Sequence, residues 1–192
     1  MPSRWMAHSS FSSDHFIGVD LLGVARAILG GAKIMSTCKN KVLTLVFVLR
    51  PGEVLLGYKK RGFAQGWWNG FGGKVEAGET IEEGAKRELH EESGLSVSNE
   101  LDHVGVLMFE FVNDPVLLEV HVYRTYSYTG TPIETEEMKP QWFKHQDIPY
   151  KDMWPDDKLW YSLMLNGKYF NGNFKFEGLT NLLEYEINEI TK

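Results

Sequence analysis

Hydrophobic and polar positions change texture near residue 42. From 42 to 49 the chain is apolar at nearly every position, which predicts a buried strand. Arg50-Pro51-Gly52-Glu53 has turn chemistry, and 54–60 return as a second strand. Residues 62–73, rich in glycine and tryptophan, predict a loop. Over 80–93 the apolar positions Ile81, Ala85 and Leu89 recur at helical spacing. Thr80 and Glu83 form a capping-box pattern at the start of that helix, and Gly94 stops it. Strands follow at 104–112 and 116–126, joined by a turn at Asn113-Asp114-Pro115, with another turn over 129–132 and a short extended piece at 139–143. A second helix is predicted over 156–165 with Leu159, Leu163 and Met164 inward, and strands at 169–176 and 182–187 close the pattern. This order predicts an α/β fold, a mixed β-sheet with helices packed on it.

Residues 1–40 read differently and are set apart from a domain over 41–192. Serines cluster early, Arg4, Arg26 and Lys33 outnumber Asp14 and Asp20, and Ile17, Leu21, Val24 and Ile28 have amphipathic spacing broken by glycines. Two readings stand: a targeting segment of transit-peptide type, or a disordered extension ahead of a second start at Met35. Asp20 and Arg26 interrupt the apolar stretch that a secretory signal needs.

At 192 residues and 43% hydrophobic positions the chain suits one domain with a real core. The net charge of −6 argues against long nucleic acid as a partner. A small anion held through a metal is compatible with it. One cysteine excludes an internal disulfide and fits a reducing compartment. The expectation is a cytoplasmic protein, with mitochondrial and nuclear fractions. No apolar run reaches the roughly 20 residues of a membrane-spanning helix.

The chemistry concentrates in 73–95. Glu88, Glu91 and Glu92 fall within an arc of about 100° on the predicted helix. Like charges so placed repel. A hard divalent cation such as Mg²⁺ prefers carboxylate oxygens and shares its shell with substrate phosphates, so it would remove the repulsion and hold a polyphosphate at once. A solvated acidic face is the plainer reading of the three glutamates alone. The apolar stripe beside them and the Gly72-Gly73 pair before them weigh against it.

Gly73, five residues, Glu79, seven residues, Arg87-Glu88-Leu89, one residue, Glu91-Glu92, one residue and Gly94-Leu95 match the Nudix box without departure. On these residues the chain resembles the Nudix hydrolases. The resemblance implies an α/β/α sandwich and cleavage of a nucleoside diphosphate derivative with Mg²⁺, or Mn²⁺ in its place. Glu88, Glu91 and Glu92 would be metal ligands or the base that activates water, and Arg87 and Glu79 would hold the loop and helix together. Spacing does not say which glutamate takes the proton. Glu134, Glu136 and Glu137 form a second acidic patch, an ordinary charged turn or the source of a fourth carboxylate.

A base pocket needs flat walls and a few directed polar groups. Trp67, Trp68, Asn69, Phe71, Phe63, Phe109, Phe111, Trp154 and Trp160 are candidates. Asp156 and Asp157 are either helix N-caps or a carboxyl pair sharing one proton, which offers both donor and acceptor to a base edge. The runs Lys59–Phe63, Trp68–Val75, Phe109–Val112, Glu137-Met138, Lys151–Asp157 and Phe174–Phe176 are similar to Nudix members of the MutT type that act on oxidised purine nucleoside triphosphates. That similarity implies nucleotide binding by Thr44, Lys59, Asn69, Phe71, Gly72, Gly73, Lys74 and Phe109. It implies a base stacked on Trp154 beside Pro155 and bonded to Asp156 and Asp157, and metal held by the Gly72 carbonyl, Glu88, Glu91, Glu92 and Glu137. The substrates implied are 8-oxo-dGTP, 2-hydroxy-dATP and related purine triphosphates, acted on by a monomer. Leu118 stands where the resemblance leads one to expect methionine. A binding module without turnover, and a Nudix enzyme acting on ADP-ribose, a methylated purine triphosphate or an RNA cap, are the alternatives.

Overall fold

The computed structural model describes residues 39–191. Contacts divide the chain into two units, Met1–Met35 and Ser36–Lys192, and the described residues lie in the second. The expected extension over 1–40 therefore falls outside them, except that Lys39 and Asn40 already belong to the first strand.

Eight strands form one mixed sheet. They are β1 (Lys39–Arg50), β2 (Glu53–Lys59), β3 (Trp68–Asn69), β4 (Asp102–Phe111), β5 (Val116–Thr125), β6 (Met138–Lys144), β7 (Tyr169–Glu177) and β8 (Asn181–Ile190), with helices α1 (Ile81–Ser93) and α2 (Asp157–Leu165). The path runs β3-β2-β1-β5-β4-β7-β8, and β6 pairs with β2. β1 with β5 and β4 with β7 are parallel; every other pairing is antiparallel.

The apolar run in β1 is explained by burial on both faces, as in strands covered by helices on each side. Phe47 and Leu49 enter a core with Trp160, Tyr161, Phe170 and Met164. Val46 and Val48 enter a second core with Ala85, Leu89, Phe71 and Tyr123. α2 thus packs on one face and α1 on the other, the expected sandwich.

Two expectations change. α2 turns Trp160, Tyr161 and Met164 fully inward, while Leu159 and Leu163 are only partly buried against that core. The larger rings win the interior because they remove more apolar surface from water. The loop expected over 62–73 also contains β3, paired with β2 through Gly57 and Tyr58, and its far end is bridged to β1 at Val46 and Phe71. That loop is therefore anchored at both ends. Among the described residues no helix is long and apolar enough to cross a membrane.

Candidate active site

α1 is fixed at both ends by local chemistry. Glu83 N donates to Thr80 Oγ1 at 3.2 Å and Thr80 N donates to Glu83 Oε2 at 2.7 Å, completing the capping box. Gly94 closes the helix in the left-handed region, φ 73°, where glycine carries no side-chain penalty.

Arg87 ties the preceding loop to this helix. Its guanidinium donates to both oxygens of Glu79 at 3.0 and 2.7 Å, to the Lys74 carbonyl at 3.1 Å and to Glu88 Oε1 at 2.9 Å. The fork geometry suits such bidentate pairing. Glu79 also accepts from Glu76 N at 2.7 Å. The Arg87 hydrogen bonds, then the Glu76 amide, hold the Glu79 carboxyl down to about 2.

The three helix glutamates have different surroundings. Glu91 is 57% exposed and 3.3 Å from Arg87. Glu88 is half-buried, and loss of solvent pushes its carboxyl up against the pull of Arg87. Glu92 is buried, 3% exposed. One of its oxygens accepts from Gly72 N at 2.9 Å and the other from Lys59 Nζ at 2.9 Å. Burial still raises its carboxyl, with Lys59 opposing. The same ammonium lies 2.6 Å from Glu137, which is more exposed and is pulled down by that bond. The two partners of Lys59 thus shift in opposite directions because only one has lost its solvent. The repulsion anticipated along the helix is met here by Arg87 and Lys59.

The residues that the resemblance names as ligands have the donor chemistry of a hard-cation site. Glu88, Glu91, Glu92, Glu137 and the Gly72 carbonyl offer oxygen alone, and Glu92 and Glu137 already converge on one positive charge. Among the described residues, no three His, Cys, Asp or Glu side chains are gathered tightly enough to hold a metal by themselves. The glycines before the helix serve this closeness. A Cβ on Gly73 would stand 2.6 Å from Glu88 Oε1, and one on Gly72 would stand 2.0 Å from the Thr44 carbonyl oxygen.

Beside this cluster lies a cavity of about 900 Å³. Its lining includes Lys59, Gly72, Gly73, Lys74 and Glu137, then Thr44 and Asn69, and also Trp154, Asp156 and Asp157 with Phe109 and Leu118. Trp154 is framed by Trp67, edge-on at 4.8 Å, and by Phe63, tilted at 5.4 Å. Asn69 accepts from Gly70 N at 2.8 Å, which orients its amide. Phe71 does not reach the cavity with its ring, which is wholly buried in the core under α1; only its backbone, bonded to Val46, supports the loop. Pro155 and Trp68 also stay out of the lining, Trp68 packing on Tyr58 and Phe143.

Asp156 and Asp157 do not cap α2: the N-cap position, Asp156, makes no side-chain cap bond. Asp156 Oδ2 accepts from Trp160 Nε1 at 2.9 Å, and Asp157 Oδ2 accepts from Trp154 N at 3.2 Å. Both are nearly inaccessible, 1% and 2% exposed. Burial pushes Asp156 up to about 6. Burial first, and then the neighbouring Asp156, push Asp157 well above the carboxylate range. Burial favours the protonated form of both, and the negative charge of one disfavours that of the other.

Sequence reasoning missed Lys41, Leu45, Val120 and Leu179 in the lining. Leu43 was missed with them: Lys41, Leu43 and Leu45 alternate along β1, and Thr44, the one residue of that strand assigned to the site from sequence, is out of phase with all three, so a period of two counted from it does not reach them.

The NUDIX domain family model matches residues 39–164. The chain is 55% identical over 156 residues to the oxidized purine nucleoside triphosphate hydrolase of Mus musculus, covering 81% of this chain and 98% of that one. It is 53% identical over 151 residues to the protein of the same name from Danio rerio, covering 79% and 96%. Among solved structures, a mutator MutT protein from Bacillus halodurans superposes with a TM-score of 0.69 at 27% identity, covering 77% of this chain and 97% of that one. With the box intact and the family match spanning most of the chain, this protein belongs to the Nudix family of hydrolases.

Proposed function

We propose that this protein hydrolyses oxidised purine nucleoside triphosphates, 8-oxo-dGTP and 2-hydroxy-dATP among them, to the monophosphate and pyrophosphate. The observation that carries the reading is one cavity whose lining holds two unlike sets of groups. A buried carboxyl pair beside Trp154 lies in its wall, and the same wall holds Lys59 and Glu137, which are paired with each other and, through Lys59, with Glu92. The relatives named for this reaction, alike over nearly their whole length, support it.

In this reading Trp154 stacks on the purine, with Trp67 and Phe63 limiting its tilt. Asp156 and Asp157 meet the base edge, one as donor and one as acceptor. That arrangement suits bases whose hydrogen-bond pattern has been altered by oxidation. Asn69 supplies a further directed contact. Lys59, Lys74 and the Gly72-Gly73 backbone receive the phosphates. Mg²⁺, with Mn²⁺ as substitute, would be held by the Gly72 carbonyl, Glu88, Glu91, Glu92 and Glu137; the chemistry it supplies when bound is charge neutralisation at phosphate oxygens and acidification of water. A helix glutamate accepts the proton of the attacking water as its oxygen bonds to phosphorus: attack at the α phosphorus breaks that atom's bond to the bridging oxygen, which leaves with pyrophosphate, and attack at the β phosphorus leaves the bridging oxygen on the monophosphate. Positioning and charge supply most of the acceleration in such transfers. The consequence is removal of damaged precursors before a polymerase uses them. One chain supplies the whole site, so we take the active form to be a monomer, acting in the cytoplasm with mitochondrial and nuclear fractions.

The test is monophosphate release from 8-oxo-dGTP and from dGTP, each with and without Mg²⁺. The expected result is metal-dependent release with preference for the oxidised base. No metal-dependent release from either nucleotide overturns the reading, and tight binding of 8-oxo-dGMP without cleavage would replace it with a binding module.

A further inference from the structure

Lys59 holds two carboxylates that come from distant parts of the chain. Its ammonium is 2.9 Å from Glu92 Oε1 on α1 and 2.6 Å from Glu137 Oε1 just before β6. Without it, a buried carboxylate would face a second one with no charge between them. Arg61 reaches Glu137 at 3.6 Å but is 66% exposed and makes no ion pair with Glu92. Lys60 is engaged elsewhere, with Glu134 at 2.8 Å.

The backbone of Lys59 is fixed by contacts that do not involve its head. Lys59 N donates to the Trp67 carbonyl at 2.9 Å, and its own carbonyl accepts from Gly66 N at 2.8 Å. The next residue, Lys60, donates its amide to the Glu137 carbonyl at 2.8 Å. Four methylenes separate this anchored backbone from the ammonium, so the charge can swing without moving the sheet. The side chain also lines the cavity.

We infer that Lys59 is a resident counter-ion that holds Glu92 and Glu137 together in the free protein, leaves them when a divalent cation is bound, and turns to the nucleotide's phosphates. The inference rests on the proposed function, since it takes Glu92 and Glu137 as metal ligands. A cation taking the oxygens that Lys59 now holds, Glu92 Oε1 and Glu137 Oε1, competes with the ammonium for them and is repelled by it. A cation entering alone must therefore displace Lys59 against its two salt bridges, with nothing to receive the ammonium. When phosphates are present, the displaced ammonium gains a new partner. Metal and nucleotide are then positively coupled through one side chain, and by linkage the coupling is reciprocal. Lys59 acts here as a positioning residue for the ligand set as well as a phosphate contact.

The experiment measures Mn²⁺ affinity of the full chain by electron paramagnetic resonance, with and without α,β-methylene-dGTP, a nucleotide that resists cleavage. In Lys59→Met the free protein is expected to bind Mn²⁺ about five- to tenfold more tightly than the unsubstituted chain, the low end of ordinary coupling. The gain in Mn²⁺ affinity caused by nucleotide is expected to shrink by a comparable factor. Lys60→Met, which removes one neighbouring charge outside the pair, should leave both values within about twofold, because exposed charges are screened. If Lys59→Met does not fold, Lys59→Gln keeps a donor for the two carboxylates without the charge and is read the same way. Mn²⁺ bound no more tightly by the free variant than by the unsubstituted chain overturns the counter-ion role while leaving the proposed function in place. Mn²⁺ bound by neither protein, with or without nucleotide, overturns both.

Discussion

Asp156 is held 1% exposed with a pKa pushed up to about 6, against 3.8 for the unfolded chain. Between those two values the folded state binds more protons than the unfolded state, so the free energy of unfolding falls as pH rises through this window. Below it both states are protonated and burial costs nothing through ionisation. Above it the cost is complete, on the order of 3 kcal/mol for Asp156. Asp156→Asn removes the titration and relieves the repulsion on Asp157. Its melting temperature, followed by circular dichroism, should exceed that of the unsubstituted protein above pH 6.5, and the excess should vanish at pH 4. Turnover of 8-oxo-dGTP should fall at least about tenfold, the loss of one hydrogen bond to a charged group. A variant with no gain at neutral pH would show that the carboxyl does not carry the desolvation described. This pair was legible in the sequence as two adjacent acids beside a tryptophan. That they do not cap the helix was not, because burial by Trp160 and Tyr161 is a property of how α2 packs.

At the scale of the element, the loop and helix over 73–95 were the most readable part of the chain. The capping box, the Gly94 stop and the Arg87–Glu79 lock are local, and each needs only residues a few positions away. Thr80→Ala should therefore cost about 1 kcal/mol, seen as a melting temperature lower by about 2–4 °C for a chain of this length. The destinations of the glutamates were not readable. Glu91 turns to solvent and Glu92 inward because Lys59, 33 residues earlier, and Gly72, 20 earlier, meet Glu92. The two glycines separate packing from chemistry. A Cβ on Gly72 meets backbone, the Thr44 carbonyl, which cannot yield, while one on Gly73 meets the Glu88 carboxylate, which can rotate. Gly72→Ala should thus lower stability by more than about 2 kcal/mol, the range of overpacking in a rigid site. Gly73→Ala should melt within a few degrees of the parent yet lose at least about tenfold in kcat. Equal melting temperatures for the two would refute the distinction.

At the scale of the molecule, β1 is the wall shared by both halves of the site. Leu43 and Leu45 line the cavity on one face. Thr44 N, between them, donates to the Gly73 carbonyl at 2.8 Å and so holds the loop that leads into α1. The burial of β1 on both sides was legible as an unbroken apolar run. Its parallel pairing with β5, and the placement of β6 on β2, were not, because non-local pairing leaves no mark on the periodicity of a single strand. The consequence is a division of labour across the sheet that can be measured. On the proposed function, base recognition rests on α2 and its aromatic neighbours, and phosphate cleavage rests on α1. The product 8-oxo-dGMP has the base but lacks the terminal phosphates, so its binding should depend on the first set alone. Glu92→Gln should cut turnover at least about 100-fold, the range for loss of a proton-transfer group, with an unchanged circular dichroism spectrum. Its affinity for 8-oxo-dGMP by titration calorimetry should stay within about threefold. Trp154→Ala should do the reverse in binding, weakening 8-oxo-dGMP at least about tenfold, as removal of a stacking ring costs roughly 1–3 kcal/mol per base. Because the chemical groups remain in place, its kcat at saturating substrate should fall less than its kcat/KM. Loss of monophosphate binding in Glu92→Gln would mean that the two sets of groups are not separable, and that the sheet between them transmits what the side chains alone do not.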